Sequence, residues 1–293
     1  MKKILFSLVF FITSLLSNEL QEAIDNASEG SIITLSKGEY HGNIVINKAL
    51  VIDGIDKKAK IIGDGKGSVI SIKKSNVVIK NLSIENSGFS VEKIDSAIHA
   101  KEVNNITIEN NHISDSLFGI NFEQVNRSKI VDNFITSKDL ELGIRGDGIR
   151  LWNSHDNQLF ANRLYKSRDF VLWYSSGNNI ENNYGSYNRY SLHFMHAGRN
   201  MVRNNFFEYN SVGIFFMYSS GTIAIGNTVK NSLGAFGVGI GMKDSSDFTL
   251  LENNLIYNPR GLYLDQSPYH PRTVNVFERN NILYNSSGVQ FQV

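Results

Sequence analysis

Two methionines and two histidines carry the most specific chemistry in this 293-residue chain. His193 and Met195 stand two residues apart in Ser191-Leu192-His193-Phe194-Met195, a spacing that puts both side chains on one face of a β-strand. Met217 ends a comparable segment, Gly213-Ile214-Phe215-Phe216-Met217, which begins 22 residues later. Paired in register, Met217 lies beside Met195, so that one imidazole and two thioethers share a face. Soft donors of this kind suit Cu(I). His196, one position past Met195 and near the corner, is placed to reach round as a fourth donor. The structural alternative puts the methionines under a covering loop and leaves His193 to hydrogen-bond only.

A second constellation is acidic. Asp147 and Asp169 each stand just before an apolar segment, 22 residues apart. Stacked in adjacent coils about 5 Å apart, they would suit a retaining glycosidase. A pair like this is also a start on a Ca²⁺ site, although Ca²⁺ asks for more oxygen ligands than two. Arg145, Arg150, Arg168 and Arg189 surround the pair, and carboxylates neutralised by arginine are more often structural. A carbohydrate-active enzyme, lyase or glycosidase, using Asp147 and Asp169 is therefore the alternative to copper handling.

The elements that position these groups are repeats. A phrase of alternating β-formers, a polar residue or two and then asparagine recurs, as in Ile106-Thr107-Ile108-Glu109-Asn110-Asn111 and Ile180-Glu181-Asn182-Asn183. The last asparagines of the copies are 81, 111, 133, 162, 183, 205, 227, 254 and 281, spaced by 30, 22, 29, 21, 22, 22, 27 and 27. A base period near 22 with insertions is the signature of a solenoid whose extra residues leave as loops. Short strands with inward apolar and outward polar positions stack about 4.8 Å apart, coil on coil. Asparagine tolerates left-handed backbone angles at the corners and its amide can pair in a ladder along the stack. The predicted fold is all-β, a single-stranded right-handed parallel β-helix of about nine coils, with insertions near 85–97, 136–147 and 258–273.

A second column of strands, Gly148-Ile149-Arg150-Leu151-Trp152, Phe170-Val171-Leu172-Trp173-Tyr174 and the two methionine segments, begins at spacings of 22, 21 and 22. On that alignment Ile149/Leu151, Val171/Trp173, Leu192/Phe194 and Ile214/Phe216 point inward. Arg150/Trp152, Leu172/Tyr174, His193/Met195 and Phe215/Met217 point outward. An outward face this apolar marks a partner surface, with Trp152, Tyr174 and Phe215 as its docking residues.

The ends and the composition complete the reading. Residues 1–17, with Lys2 and Lys3 before an apolar stretch from Ile4 to Leu16, read as a signal peptide too short to span a bilayer. Export to a bacterial periplasm follows, with 18–293 as the β-helix domain. Leu20, Ala23, Ile24 and Ala27 share one face of a helix over Glu19 to Ala27 that would cap the first coil. The net charge of +1 gives no footing for nucleic acid. The absence of cysteine excludes disulfides, thiolate metal sites and cysteine nucleophiles.

The runs Asp147-Gly148-Ile149-Arg150-Leu151-Trp152-Asn153-Ser154, Arg168-Asp169-Phe170-Val171-Leu172-Trp173-Tyr174-Ser175 and Arg189-Tyr190-Ser191-Leu192-His193-Phe194-Met195, with Gly213-Ile214-Phe215-Phe216-Met217-Tyr218-Ser219, resemble the NosD family. The resemblance covers most of residues 20–290. It implies a periplasmic, non-enzymatic maturation protein of nitrous-oxide reductase. Such a protein works with an ABC-type ATPase and permease and a copper chaperone lipoprotein to assemble the reductase's copper–sulfide centre. The resemblance favours a copper-handling or docking scaffold over catalysis.

Overall fold

The computed structural model describes residues 9–12 and 19–292. Its strands form three parallel sheets of 12, 11 and 11 strands, and each coil contributes one strand to each sheet. One coil runs Thr107–Glu109 in the first sheet, His112–Ser116 in the second and Phe118–Glu123 in the third. The next coil repeats this with Lys129–Val131, Phe134–Ser137 and Ile149–Trp152. Alternation decides which side chains enter: Ile108, Ile130, Leu159, Ile180 and Val202 stack inside the first sheet, and all are fully buried. Aromatic rings continue the stack, with Phe194 on Phe216 at 4.9 Å and Phe216 against Phe248 at 4.6 Å. Each fully buried side chain of this size contributes about 1.5–3 kcal/mol, so one continuous core runs the length of the solenoid.

The helix Glu19–Asn26 closes the N-terminal end, burying Leu20 and Ile24. Gln21 copies a strand's pairing: its amide donates to the Val45 carbonyl at 3.1 Å and accepts from the Val45 N–H at 2.7 Å. The edge of the strand Ile44–Ile46 is thereby satisfied rather than left open. The strand Val9–Ile12 pairs in parallel with Ile32–Leu35. The rest of the expected signal segment, residues 1–8 and 13–17, lies outside the described residues.

Several details differ from the sequence reading. Among the described residues eleven coils are present rather than about nine, and the first two, Ile32–Leu35 through Ile70–Ile72, carry no asparagine phrase. The asparagine ladder is 111, 133, 162, 183, 205, 227, 253 and 280, buried up to Asn253, and each side chain from Asn133 onward accepts from the amide of its predecessor at 2.9–3.0 Å. Asn81, Asn254 and Asn281 are not rungs. The ladder position in the third coil is Leu82, whose N–H donates to Asn111 Oδ1, and Asn254 and Asn281 begin strands of the second sheet. Left-handed geometry also belongs to a different residue, the one before each rung: Asn110, Asp132, Ala161, Asn182, Asn204, Gly226, Glu252 and Arg279 all have φ between 52° and 67°. Sequence reading merged two adjacent roles, a hydrogen-bonding rung and a left-handed corner. The third insertion occupies 266–275, because Arg260–Asp265 is a regular strand, and 231–237 forms a further loop.

Candidate functional site

The outward face of the third sheet is set by the strands Ile149–Trp152, Asp169–Trp173, Tyr190–Met195, Val212–Met217 and Val238–Lys243. Their register reads Arg150, Val171, His193, Phe215 and Gly241 in one column, and Trp152, Trp173, Met195, Met217 and Lys243 in the next. The expected in–out assignment holds in three coils and fails in one. Ile149 pairs with Phe170, so Phe170 and Leu172 are the buried residues, and Val171 and Trp173 point outward. This coil is one residue shorter, and a bulge between Asp169 and Val171 against Tyr190–His193 restores the register. Trp173 therefore takes the place expected for Tyr174.

Tyr174 moves to the corner instead. It is left-handed (φ 51°), as are His196 (49°) and Tyr218 (53°), which follow in the same column. The three rings stack, Tyr174 on His196 at 5.1 Å and 6°, His196 on Tyr218 at 4.9 Å and 16°. His196 thus stands in a separate column from His193 and Met195. It lines a cleft of about 400 Å³ with Tyr218, Asp244, Gln266, Tyr269 and His270. The docking residues are likewise divided among three columns: Trp152 is 36 % exposed and Tyr174 47 %, while Phe215 lies half-buried over Gly241, where a Cβ would come within 2.3 Å of its ring.

His193, Met195 and Met217 do come together. Met195 pairs directly with Met217, and His193 Nε2 lies 3.2 Å from the Met217 sulfur. The imidazole is 6 % exposed, stacked on Tyr190 at 4.5 Å with Phe215 edge-on at 6.5 Å. Its other nitrogen, Nδ1, lies 3.5 Å from Asp169 Oδ2, long for a hydrogen bond but close for a charge contact. Arg189 Nε donates to the same carboxylate at 2.9 Å. Burial pushes the Asp169 carboxyl up, but Arg189 and His193 more than offset this and hold it below the ordinary carboxylate range. An anion at Nδ1 favours the tautomer protonated there and leaves the Nε2 lone pair facing the Met217 sulfur. In that tautomer the imidazole lone pair and the thioether converge in a way that suits Cu(I), whereas in the other tautomer Nε2–H donates to the sulfur.

Asp147 is not the twin of Asp169. Gly148 occupies the position in register with Asp169, and Asp147 accepts from Arg168 Nε at 2.9 Å. Burial, with the negative charge of Asp169 adding to it, raises Asp147 to about 6 despite Arg168. The two carboxylates therefore have separate arginine partners and opposite shifts. Further along the face, Arg150 donates to Asn121 Oδ1 at 2.9 Å and lies 3.8 Å from Glu123. The expected arginine neutralisation is thus seen at Arg168 and Arg189.

Sequence reasoning missed Trp173, Tyr190 and the Asp169–His193 contact. The signal for Trp173 was present. Asn157 to Asn178 and Asn162 to Asn183 are both separated by 21 residues, so the shortened coil is written in the ladder, and applying that spacing to Trp152 gives Trp173. The bulge that brings Asp169 beneath His193 has no such mark.

A family model described as periplasmic copper-binding protein (NosD) matches residues 138–292, just over half of the chain. A cell surface glycoprotein of Methanothermus fervidus is 32 % identical over 106 residues, which are 36 % of this chain and 17 % of the glycoprotein. The match therefore spans under a fifth of that relative's length. Among solved structures, the A-module of mannuronan C-5 epimerase AlgE6 from Azotobacter vinelandii aligns with a TM-score of 0.79 at 14 % identity, covering 96 % of this chain and 87 % of the module. An alginate lyase from Paenibacillus aligns at 0.69 and 15 %, covering 96 % and 99 %. These structural likenesses establish the parallel β-helix fold.

Proposed function

Because the chain belongs to the NosD family of periplasmic copper-binding proteins, we propose that it is an accessory protein that receives Cu(I) and presents it for assembly of the copper–sulfide centre of nitrous-oxide reductase. The signal peptide over residues 1–17 would deliver it to the periplasm. An ABC-type permease and ATPase and a copper chaperone lipoprotein would be its partners, with the reductase as acceptor. The observation that carries the reading is the approach of His193 Nε2 to the Met217 sulfur at 3.2 Å, with Met195 in register beside it. Copper here is cargo, so a site of few, soft and partly exposed ligands fits better than an enclosed cage; Met195 and Met217 are both half-buried. His193, Met195 and Met217 form the receiving group. His196 sits at the corner, where its stacked ring belongs to the flanking aromatic wall. Trp152 and Trp173 supply apolar ground beside the thioethers for a partner to cover. In cells carrying the Met195→Leu/Met217→Leu variant, the protein should be exported at normal levels while the reductase accumulates without its sulfide-bridged copper centre. A complete centre in those cells would reject the reading.

One observation favours a second reading. The solved structures similar in fold include a mannuronan epimerase and an alginate lyase. On this chain Asp147, raised to about 6, and Asp169, held low, form an acid and base divided by their surroundings. Against it, both carboxylates are almost fully buried and engaged by arginine. Cleavage or epimerisation of an acidic polysaccharide, abolished by Asp147→Asn, would establish it.

A further inference from the structure

The outward face of the second sheet holds a different site. Its column reads His112, Phe134, Arg163, Tyr184 and Phe206 in register. His112 stacks on Phe134 at 5.0 Å and 25°, and Tyr184 on Phe206 at 6.0 Å and 11°. Each pair is a rung-to-rung stack along the solenoid axis, so the free faces of Phe134 and Tyr184 look toward each other across the coil that carries Arg163. That coil places no ring between them. Two strand spacings separate the two rings, about 9.6 Å. A cavity of about 550 Å³ opens there, lined also by Asp132, Ala161, Tyr165 and Asn182.

The walls are fixed before any ligand arrives. The Tyr184 hydroxyl lies 3.0 Å from Glu208 Oε1, which ties down the ring. Tyr165 packs edge-on to Tyr187 at 5.7 Å, and Tyr187 stacks on Tyr209 at 5.5 Å. The floor is different. The Arg163 guanidinium is exposed and forms no hydrogen bond or ion pair among the described residues, and the same holds for the Asp132 carboxylate. A guanidinium with no partner, flanked by two aromatic side chains, asks for an anion attached to a ring.

The width selects the ring. A flat aromatic ring contacts carbon at about 3.5–4.0 Å on each side and would want the walls about 7–8 Å apart. A gap of about 9.6 Å suits a puckered ring with C–H groups on both faces. Asp132 and Asn182 offer acceptors and donors for hydroxyl groups at its rim. We propose that the cleft between Phe134 and Tyr184 binds a hexuronic acid residue of an acidic saccharide, its pyranose ring held between the two aromatic faces and its carboxylate on Arg163. This site lies on another sheet from His193 and does not depend on the copper reading.

Calorimetric titration of the exported chain with trigalacturonate, and with neutral cellotriose and benzoate as controls, tests it. Saturable binding of trigalacturonate is expected, at least tenfold tighter than either control. Arg163→Gln and Tyr184→Leu should each weaken it at least tenfold, with circular dichroism and Cu(I) uptake unchanged. Absence of trigalacturonate binding in the millimolar range would overturn the proposal. So would unchanged affinity in folded Arg163→Gln protein, equal binding of cellotriose, or equal binding of benzoate.

Discussion

The corner between the first and second sheets and the outward face of the third are built on the same repeat, yet they use it in opposite ways. At the corner the same side chain returns from Asn111 to Asn280. Each oxygen accepts from both the backbone and the side-chain amide of the preceding rung, as Asn183 does from Asn162 at 2.9 and 3.0 Å. On the third sheet the residue changes at every coil: Arg150, Val171, His193, Phe215, Gly241. Repetition marks what holds the solenoid together, since an amide ladder works only when its neighbours are also amides. Variation marks a surface whose purpose is local, where one coil supplies the imidazole and the next the thioether.

The comparison is broken most severely at a central rung. Asn183→Leu removes the acceptor of the buried Asn162 backbone N–H and of one Asn162 side-chain N–H, whose amide keeps its bond to the Ile130 carbonyl at 2.7 Å, and it removes a donor to the buried Leu159 carbonyl. At about 1–3 kcal/mol for each unsatisfied group, the loss should exceed about 3 kcal/mol and appear as a large fall in the urea midpoint. The same change at Asn280, the last rung and only half-buried, should cost distinctly less. Equal losses at both positions would mean that the ladder is not cooperative.

On the opposite face the effect should fall on binding. Met195→Leu/Met217→Leu conserves volume and should cost no more than about 1.5 kcal/mol per site, while Cu(I) affinity measured by chelator competition falls at least tenfold. Asp169→Asn should lower affinity by about 10–100-fold, as outer-shell partners of a ligating histidine do. The loss should come through the tautomer of His193, visible in the ring's nitrogen chemical shifts. Unaltered shifts in that variant would remove Asp169 from the site.

The smallest effect is one of pH. Asp147 is raised from its ordinary 3.8 to about 6 by burial first and by the charge of Asp169 second. The folded protein therefore takes up a proton that the unfolded chain does not, and this group's contribution to stability is full below about pH 4 and lost as pH rises through about 6. Asp169 has the opposite sign: its contribution is present above the ordinary carboxylate value and lost as pH falls below it. Asp147→Asn should remove this group's gain on acidification between pH 7 and pH 5, against the opposing effect of His99 and His112, whose burial lowers them, so the variant's denaturation midpoint should fall further than that of wild type over this range.

The same contrast explains what was legible in the sequence. The β-helix, its parallel register and the inward set of most coils followed from a repeated asparagine, because a ladder writes itself once per coil. The asparagine register does not extend to the two N-terminal coils because Gly38 and Ala59 occupy the ladder position there, and the first of them was legible only from its run of β-formers over residues 30–42. His193, Met195 and Met217 were readable as a group because their coils run 22 residues apart without insertion. Tyr174 was misplaced by one position, since a shortened coil and a bulge cancel over the pair of coils and hide each other. The stacking of His196 between two tyrosines depends on the left-handed corner, which in this column is filled by tyrosine, histidine and aspartate rather than by asparagine or glycine alone.

X-ray absorption at the copper edge, on protein loaded with one equivalent of Cu(I), tests the central claim most directly. The account predicts sulfur scatterers from the two thioethers together with imidazole nitrogen, and loss of the sulfur shell in Met195→Leu/Met217→Leu with the fold intact. A copper environment of nitrogen and oxygen alone in the unmodified protein, or a sulfur shell that survives in the double variant, would contradict it.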